Sequence, residues 1–563
     1  MGVCRVNSRA SEGISILTSI IMESAVPSVL NCADLLTEIF SWLRPPNPRC
    51  PYDTYTGYRK FYALEREQRK ELRGTLCQAA LVCQAFTPHA LDSLWCVMDE
   101  LLPLLLLLPP LSCDDDDADD NDDDADGNDD DNSDNNDAYI FSRPVEQEEW
   151  QRFDMYARRV RVLYYYGHDE ESLHPSVWTH LKEHYRDGPM LPRLDRLDVM
   201  AFSPHDISPF SLFLSSTLRY LTIAFERSIT ITLPTSATPV GAMMRDVIAR
   251  SSPGLHTLRL GHSFGLTVPY TSVLAELHHL RTLILCQCPG CSVSGRSPLW
   301  TVPLAESLRV CAIAVKDIPN TFGTGSFGAL QEVSVYGRPD DINNFIRGIQ
   351  PATVHTISVT VLRNRGEATS PPRLSSICEH LPPTLEYFSL TFAGGREINP
   401  PCALSAVLAH MPPLRNLASF TLHGKEIAAI ISGDDARILG ELWPRLRSLK
   451  HTRFRSMSHS RGTVTMQGLA EIARRWPTLE SLSLPRLEVA DLSFSQSEMQ
   501  GAPHGLRFIE FEEVGGASEP YLVASAIARL FPRLELDKSV GGQYWHKGWK
   551  HVRALLCEML DAT

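Results

Sequence analysis

Three clusters in this 563-residue chain have the residue types and spacing of chemical sites. Cys286-x-Cys288-x-x-Cys291 has the spacing of thiolate metal ligands. A structural zinc site needs four donors, and no second Cys or His pair lies close in sequence. The three follow the apolar run Leu280, Leu283, Leu285 directly, so they read as buried structural thiols. Gly323-x-Gly325-x-x-Gly328 carries the letters of a dinucleotide fingerprint. That loop must leave a strand and open a helix, so that the helix N-terminus meets the pyrophosphate. Here Ala329-Leu330-Gln331-Glu332-Val333 leads into a strand, and the glycines read as a turn. Asp122, Asp124, Asp126 and Gly127 imitate the start of a calcium loop, but its twelfth position is Ser133, not a bidentate Glu. The 19 His are dispersed, with no His-Glu-x-x-His, Gly-x-Ser-x-Gly or Walker loop among them. No catalytic residue, metal or cofactor is named, and the chain is expected to do no chemistry of its own.

Composition narrows the remaining classes. Hydrophobic content of 43% and charged content of 21% are those of an ordinary soluble protein. The length calls for several domains or a repeat array. The net charge of −14 is local, because 15 Asp and no Lys or Arg lie between Cys113 and Ala138. Outside that tract the chain is close to neutral, which argues against a nucleic-acid partner. Fourteen scattered Cys and no Asn-x-Ser/Thr site place the chain in an intracellular compartment, cytoplasm or nucleus. No apolar run is long enough to span a bilayer, and Pro103, Pro109 and Pro110 break the longest candidate, Leu101 to Leu111.

Two patterns supply the elements that would position any site. The first lies in 24–98. Leu35, Leu36, Ile39, Phe40 and Leu43 recur at helical spacing, with Asn31 or Asp34 as cap. Leu81, Val82 and Phe86 share a second helix. Thr87 caps a third, which has Pro88 in its first turn and Leu91, Leu94, Trp95 and Met98 on its apolar face. Residues 44–75 are an insertion that starts Pro-rich and turns into a solvated, charged helix.

This order of helices, with Ala80-Leu81-Val82-Cys83, Phe86 and Leu94-Trp95, resembles the F-box, most closely the F-box proteins abundant in mushroom-forming fungi. The resemblance covers roughly forty residues. It implies docking on a Skp-family adaptor and, through it, on a cullin. The adaptor-binding residues would come from Leu30, Leu35, Leu36, Ile39, Phe40, Leu43, Leu81, Val82, Phe86, Leu91, Leu94 and Trp95. Some of these must instead face the helices' own core.

The second pattern is a repeat, apolar-x-x-apolar-x-apolar. It runs from Val160-Leu163-Tyr165 through Leu258 and Leu390 to Leu506-Ile509-Phe511, with weaker copies at Leu446-Leu449 and Leu534-Leu536. Helical patterns separate the copies, as in Gly468 to Trp476, where Pro477 ends the helix. The unit resembles the leucine-rich repeat, which implies an α/β solenoid with parallel strands on a concave side and helices on a convex side. The alternation of a strand would then send the triplet inward. It leaves Arg219, Thr222, His256, Arg259, Ile284, Ser334, Ser389, Thr421, Ser483 and Glu510 on the concave face as substrate-binding candidates.

The expected layout is a disordered extension (1–23), an F-box-like domain (24–98) and an apolar junction (99–112). A disordered acidic tract (113–138), a solenoid (139–540) and a C-terminal capping helix (541–563) complete it. Val552, Leu555, Leu556 and Met559 mark the inner face of that cap. Met22 is an alternative start. The function the resemblances imply is a substrate-recognition subunit of a cullin–RING ubiquitin ligase, holding an unknown protein on its repeats. The alternative is a repeat scaffold that assembles no ligase. Asn31, where the family usually has Pro, and the 44–75 insertion point to it.

Overall fold

The computed structural model describes residues 32–45, 58–113, 138–166, 173–201, 209–225, 250–251, 254–261, 274, 276–285, 293–294, 306–320, 327–349, 353–362, 375–393, 402–408, 411–424, 429–452, 464–489, 504–515, 519–536 and 547–561. Leu30, Asn31, the cysteine triplet at 286–291, the glycine triplet at 323–328 apart from Gly328, and the acidic tract from 114 to 137 lie outside them. The chain divides into two compact units, Met1–Leu280 and Arg281–Thr563.

The first unit begins with α1 (Ala33–Trp42), α2 (Tyr58–Val82) and α3 (Thr87–Trp95). Cys32 occupies the N-cap of α1, and Asp34 falls in the first turn, where a carboxylate complements the helix dipole. The charged insertion helix and the second helix of the F-box pattern are one continuous α2, since Lys, Glu, Arg, Gln, Leu and Ala are all strong helix formers. Thr87 does not cap α3. Its hydroxyl donates to the carbonyls of Ala80 (2.8 Å) and Cys83 (3.1 Å), satisfying the end of α2, while Phe86 holds the N-cap position. Leu36, Phe40, Leu43, Leu76, Phe86 and Ala90 form the core, with Phe40 edge-on to Phe86 at 5.3 Å between centroids.

From Trp95 the chain runs into β1 (Val97–Met98), which pairs with β4 (Val162–Tyr166). Met98, expected on the face of α3, is therefore buried in a strand. Between the two come α4 (Leu102–Leu105), the antiparallel pair β2 (Leu111–Cys113) and β3 (Tyr139–Phe141), and α5 (Gln147–Ala157). Cys113 stands opposite Tyr139 in that ladder. The acidic tract is thus an excursion from a closed hairpin, not a spacer between the helical unit and the sheet. The remaining elements are α6 (Pro175–His184), β5 (Arg196–Ala201), β6 (Tyr220–Phe225) and β7 (Thr257–Leu260). The sheet order β1-β4-β5-β6-β7 follows the sequence, every pair is parallel, and the sheet starts at Val97 instead of after residue 139.

The second unit repeats one plan. Its strands are β8 (Thr282–Leu285), β9 (Val293–Ser294), β10 (Val310–Lys316), β11 (Glu332–Gly337), β12 (Thr356–Leu362) and β13 (Tyr387–Ala393). Helices α7 (Pro339–Ile349) and α8 (Ser375–Cys378) follow β11 and β12. After the two-residue β14 (Cys402–Ala403) and α9 (Leu404–Val407) come β15 (Ser419–His423), β16 (Ala429–Ile430), α10 (Gly433–Leu442) and β17 (Ser448–Thr452). The last elements are β18 (Val464–Thr465), α11 (Met466–Arg475), β19 (Ser481–Glu488), β20 (Phe508–Gly515), α12 (Pro520–Leu530) and α13 (Lys547–Asp561). Strands β8, β10, β11, β12, β13, β15, β17, β19 and β20 pair in that order, all parallel. A parallel strand must be reached by a crossover, and α7, α8, α9, α10 and α11 lie in five of these connections. The result is a solenoid-like α/β arrangement.

Burial explains why the pattern folds this way. All three residues of each clear triplet are at most 5% exposed, from Val160 to Phe511. One such strand cannot bury its apolar side alone, so it stacks on the next. The helices face the same interior, as Ile342, Phe345, Ile346 and Ile349 do in α7. At the end of the chain α13 buries Trp549, Val552 and Leu556, with Trp549 edge-on to Phe511 at 5.0 Å. Leu555 and Met559 are only half-buried.

Candidate functional site

Two surfaces emerge from this framework, one in each unit. In the first unit, burial divides the expected adaptor-binding set. Leu36, Phe40, Leu43 and Phe86 are 6% exposed or less and belong to the core, so they cannot contact a partner. Leu94 packs against that core, while Ile39 and Leu91 are half-buried. Trp95 lies against Tyr156 at 5.1 Å. Leu35 (47%), Leu81 (82%) and Val82 (64%) remain exposed. The sequence reading omitted Trp42, which is 67% exposed one helical repeat beyond Leu35 on the same face of α1. Its Nε1 donates to Glu38 Oε1 at 3.1 Å, which orients the indole. Four large apolar side chains thus stand in solvent beside a well-filled core, Leu35 and Trp42 on α1 and Leu81 and Val82 at the end of α2.

The join between α3 and β1 is held from several sides. Buried Arg69 and half-buried Arg73 of α2 both donate to Asp99 Oδ2, at 3.1 and 3.0 Å. Arg73 also donates to the Val97 carbonyl. Arg159 reaches back to the Pro88 carbonyl and to Asp92, and the Cys96 carbonyl accepts from the backbone of Arg161 and Val162. A cleft of about 590 Å³ opens here, lined by Cys77, Leu94, Trp95, Met98 and Pro103 among others.

In register, Tyr164, Asp198, Thr222 and Arg259 form one row across β4 to β7. Tyr164 is buried at 2%, packed with Cys96, Val97 and Val162, and Asp198 is engaged by Arg196. Thr222, expected on an open face, is 4% exposed and leaves the candidate set. Arg259 is half-buried. Arg219 and His256 lie one step before their strands, on the rim, where backbone N–H groups donate from His256 to Arg219 and from Arg219 to Asp195. Arg219 also pairs with Asp195 at 3.6 Å.

The second unit keeps its open face. Ser334, Ser389, Thr421, Ser483 and Glu510 align in a single row with Ser358 and Lys450, one residue per strand from β11 to β20. Ile284 of β8 occupies the corresponding position beside Ala312 of β10. All the candidates in this row are half-buried or exposed. Two residues earlier runs a parallel row through Glu332, Thr356, Tyr387, Ser419, Ser448 and Ser481. Two residues later runs a third, through Tyr336, Thr360, Thr391 and His423. Burial and the neighbouring Lys450 hold the His423 imidazole below its usual range, so it is neutral near pH 7. A rim ladder edges this face. The N–H of each rim residue donates to the carbonyl one strand back, from Arg281 and Arg309 through Glu386 and Arg447 to Glu535, at 2.7–3.0 Å. Arg447–Glu480 and Arg507–Glu535 neutralise each other along it, at 3.8 and 2.6 Å.

The buried groups are structural. Burial pushes the thiols of Cys311 and Cys378 up to about 12, so neither is a nucleophile at neutral pH. Among the described residues no His, Cys, Asp and Glu cluster could hold a metal ion, and no helix is long and apolar enough to cross a membrane. A scan against protein-family models finds no match, and a search of curated proteins finds none either.

Proposed function

We propose that this protein is a substrate-recognition subunit of a cullin–RING ubiquitin ligase. Helices α1 to α3, similar to an F-box, dock on a Skp-family adaptor, and the strand-and-helix repeats, similar to leucine-rich repeats, hold a protein substrate. The chain carries out no chemistry. It raises the local concentration of a target lysine beside the charged ubiquitin of the ligase.

The observation that carries this reading is the pairing of a filled core with solvent-exposed Leu35, Trp42, Leu81 and Val82. A helical unit meant only to cap a solenoid has no use for four large apolar side chains in water. Full-length protein is expected to capture a recombinant Skp-family adaptor and, with it, a cullin. Leu81→Ala together with Val82→Ala should weaken capture by about 1–3 kcal/mol per anchor residue, while the unfolding midpoint stays unchanged. Capture that is absent, or insensitive to these changes, selects a repeat scaffold outside any ligase.

A further inference from the structure

The open face of the second unit has an unusual chemistry for a binding surface, and it narrows what can sit there. Across β11, β12, β13 and β15 the three rows place twelve side chains in register, and eight of them are Ser or Thr. The other four are Glu332, Tyr336, Tyr387 and His423, so a single formal charge is spread over the whole patch near neutral pH. The rim beside it, Gln331, His355, Glu386 and Ala418, adds one further carboxylate and no Lys or Arg. Tyr387 stands in the row nearest the rim, 49% exposed, between Thr356 and Ser419 in its row and two residues from Ser389.

We infer that this face takes an extended, uncharged, polar segment of polypeptide, anchored on Tyr387. The inference rests on the repeats being the substrate-holding region of the molecule. Hydroxyls both donate and accept, which matches a partner whose groups also do both: main-chain amides and Asn, Gln, Ser or Thr side chains. An acidic partner would lose its hydration without gaining a counter-charge, and a basic one would meet only Glu332 and Glu386 at the rim edge of the face. Nucleic acid is disfavoured too, since among the described residues of this face no cluster of Lys or Arg would meet its phosphates. Tyr supplies a rigid contact area that few residues match, and small hydroxyl side chains around it adapt their hydrogen bonds to the partner. Specificity then comes from the order of donors and acceptors along the rows, and affinity from the ring.

The test uses immobilised full-length protein panned against a displayed library of random linear peptides, at low and at high salt. The expected pool is depleted in Asp, Glu, Lys and Arg relative to the starting library, and its members bind equally at both salt concentrations. Tyr387→Ala should weaken a selected peptide about tenfold or more, and Ser389→Lys should abolish binding. Ile438→Ser, at an exposed position on α10, should change nothing. Tyr387→Ala replaces a half-exposed side chain, so it keeps the test decisive if the lysine variant unfolds. A pool rich in charge whose binding vanishes at high salt would overturn the inference. So would an empty pool, peptides indifferent to Tyr387→Ala, or oligosaccharides binding the face in place of peptides. Adaptor capture, measured on the same preparation, reports separately on the ligase assignment.

Discussion

At the scale of single residues, much of the molecule's order comes from side chains that tie one repeat to the next. Trp443 and Trp476 sit at the C-caps of α10 and α11, each fully buried, and Trp476 Nε1 donates to the Trp443 carbonyl at 3.1 Å. His504 plays the same role in the repeat that follows. Its Nε2 donates to the Trp476 carbonyl at 2.6 Å, and its Nδ1 accepts from the Leu506 N–H at 3.0 Å. Each satisfies a carbonyl that a helix end leaves without an intrahelical partner. Both nitrogens of His504 are committed in the neutral ring, and burial holds its protonation below the usual range, with the Trp476 carbonyl only partly opposing it. The folded state therefore binds fewer protons than the unfolded chain, whose imidazole titrates near 6.5. This stabilisation is complete above that value and is lost as the pH falls through the depressed value. Thermal unfolding should show a midpoint that drops between neutral pH and about pH 5. In His504→Gln, which keeps a donor and an acceptor but has no titrating group, the drop should be smaller. Because His423 shifts the same way, the comparison between the two proteins is the readout. Asp435 is a second tie. Burial would raise its carboxyl, but hydrogen bonds from Ser405 and Ser432 outweigh that and hold it below its usual range.

The elements show where sequence reading succeeds and where it stops. Period and spacing located thirteen of the twenty described strands, while β1, β2, β3, β9, β14, β16 and β18, of two or three residues each, carry no triplet. A triplet that alternates onto one buried face leaves a plain mark in the letters. The inner residues followed directly from it. The outer ones did not: Thr222 has the same place in its triplet as Thr421, yet one is buried and the other is not. Their neighbours across the sheet differ: Thr222 stands between Asp198 and Arg259, and Thr421 between Ser389 and Lys450, all on other strands. The fusion of the insertion into α2 was hidden similarly, since a run of Arg, Lys and Glu reads as solvated until Asp99 is found beside Arg69 and Arg73. The apolar set ran from Leu35 to Leu43 without Trp42, although Trp42 shares the exposed face of Leu35.

The hairpin of β2 and β3 carries its own prediction. Cys113 and Tyr139 are paired whatever lies between them. Deletion of Asp114 to Asp137, closed by a short Asn-Gly turn, should leave the unfolding midpoint and adaptor capture unchanged. A marked drop in midpoint would mean that the acidic stretch contributes to the packing.

On the scale of the whole molecule, stability in a stack of repeats is the sum of local terms and interfaces with neighbours. The last interface in the second unit is closed by α13 through Trp549, Val552 and Leu556. Trp549→Ser should strip the cap and expose β20 first. Hydrogen exchange is expected to speed up in Phe508–Gly515 well before it does in Thr356–Leu362. Uniform loss of protection along the unit would show that it melts as one block instead.

The rim ladder from Arg281 to Glu535 has one more consequence, for how such a protein changes over generations. Each rung is joined to the rung before it by the same backbone hydrogen bond, whatever side chain it bears. A duplicated repeat would bring its own rung and lengthen the face by about 4.8 Å, leaving the rungs on either side with the bonds they had before. A point substitution at an outward position likewise rewrites one letter of the surface and leaves the spelling of the rest alone. The open face is in that sense a text that can be edited or extended locally, while the buried triplets hold the page together.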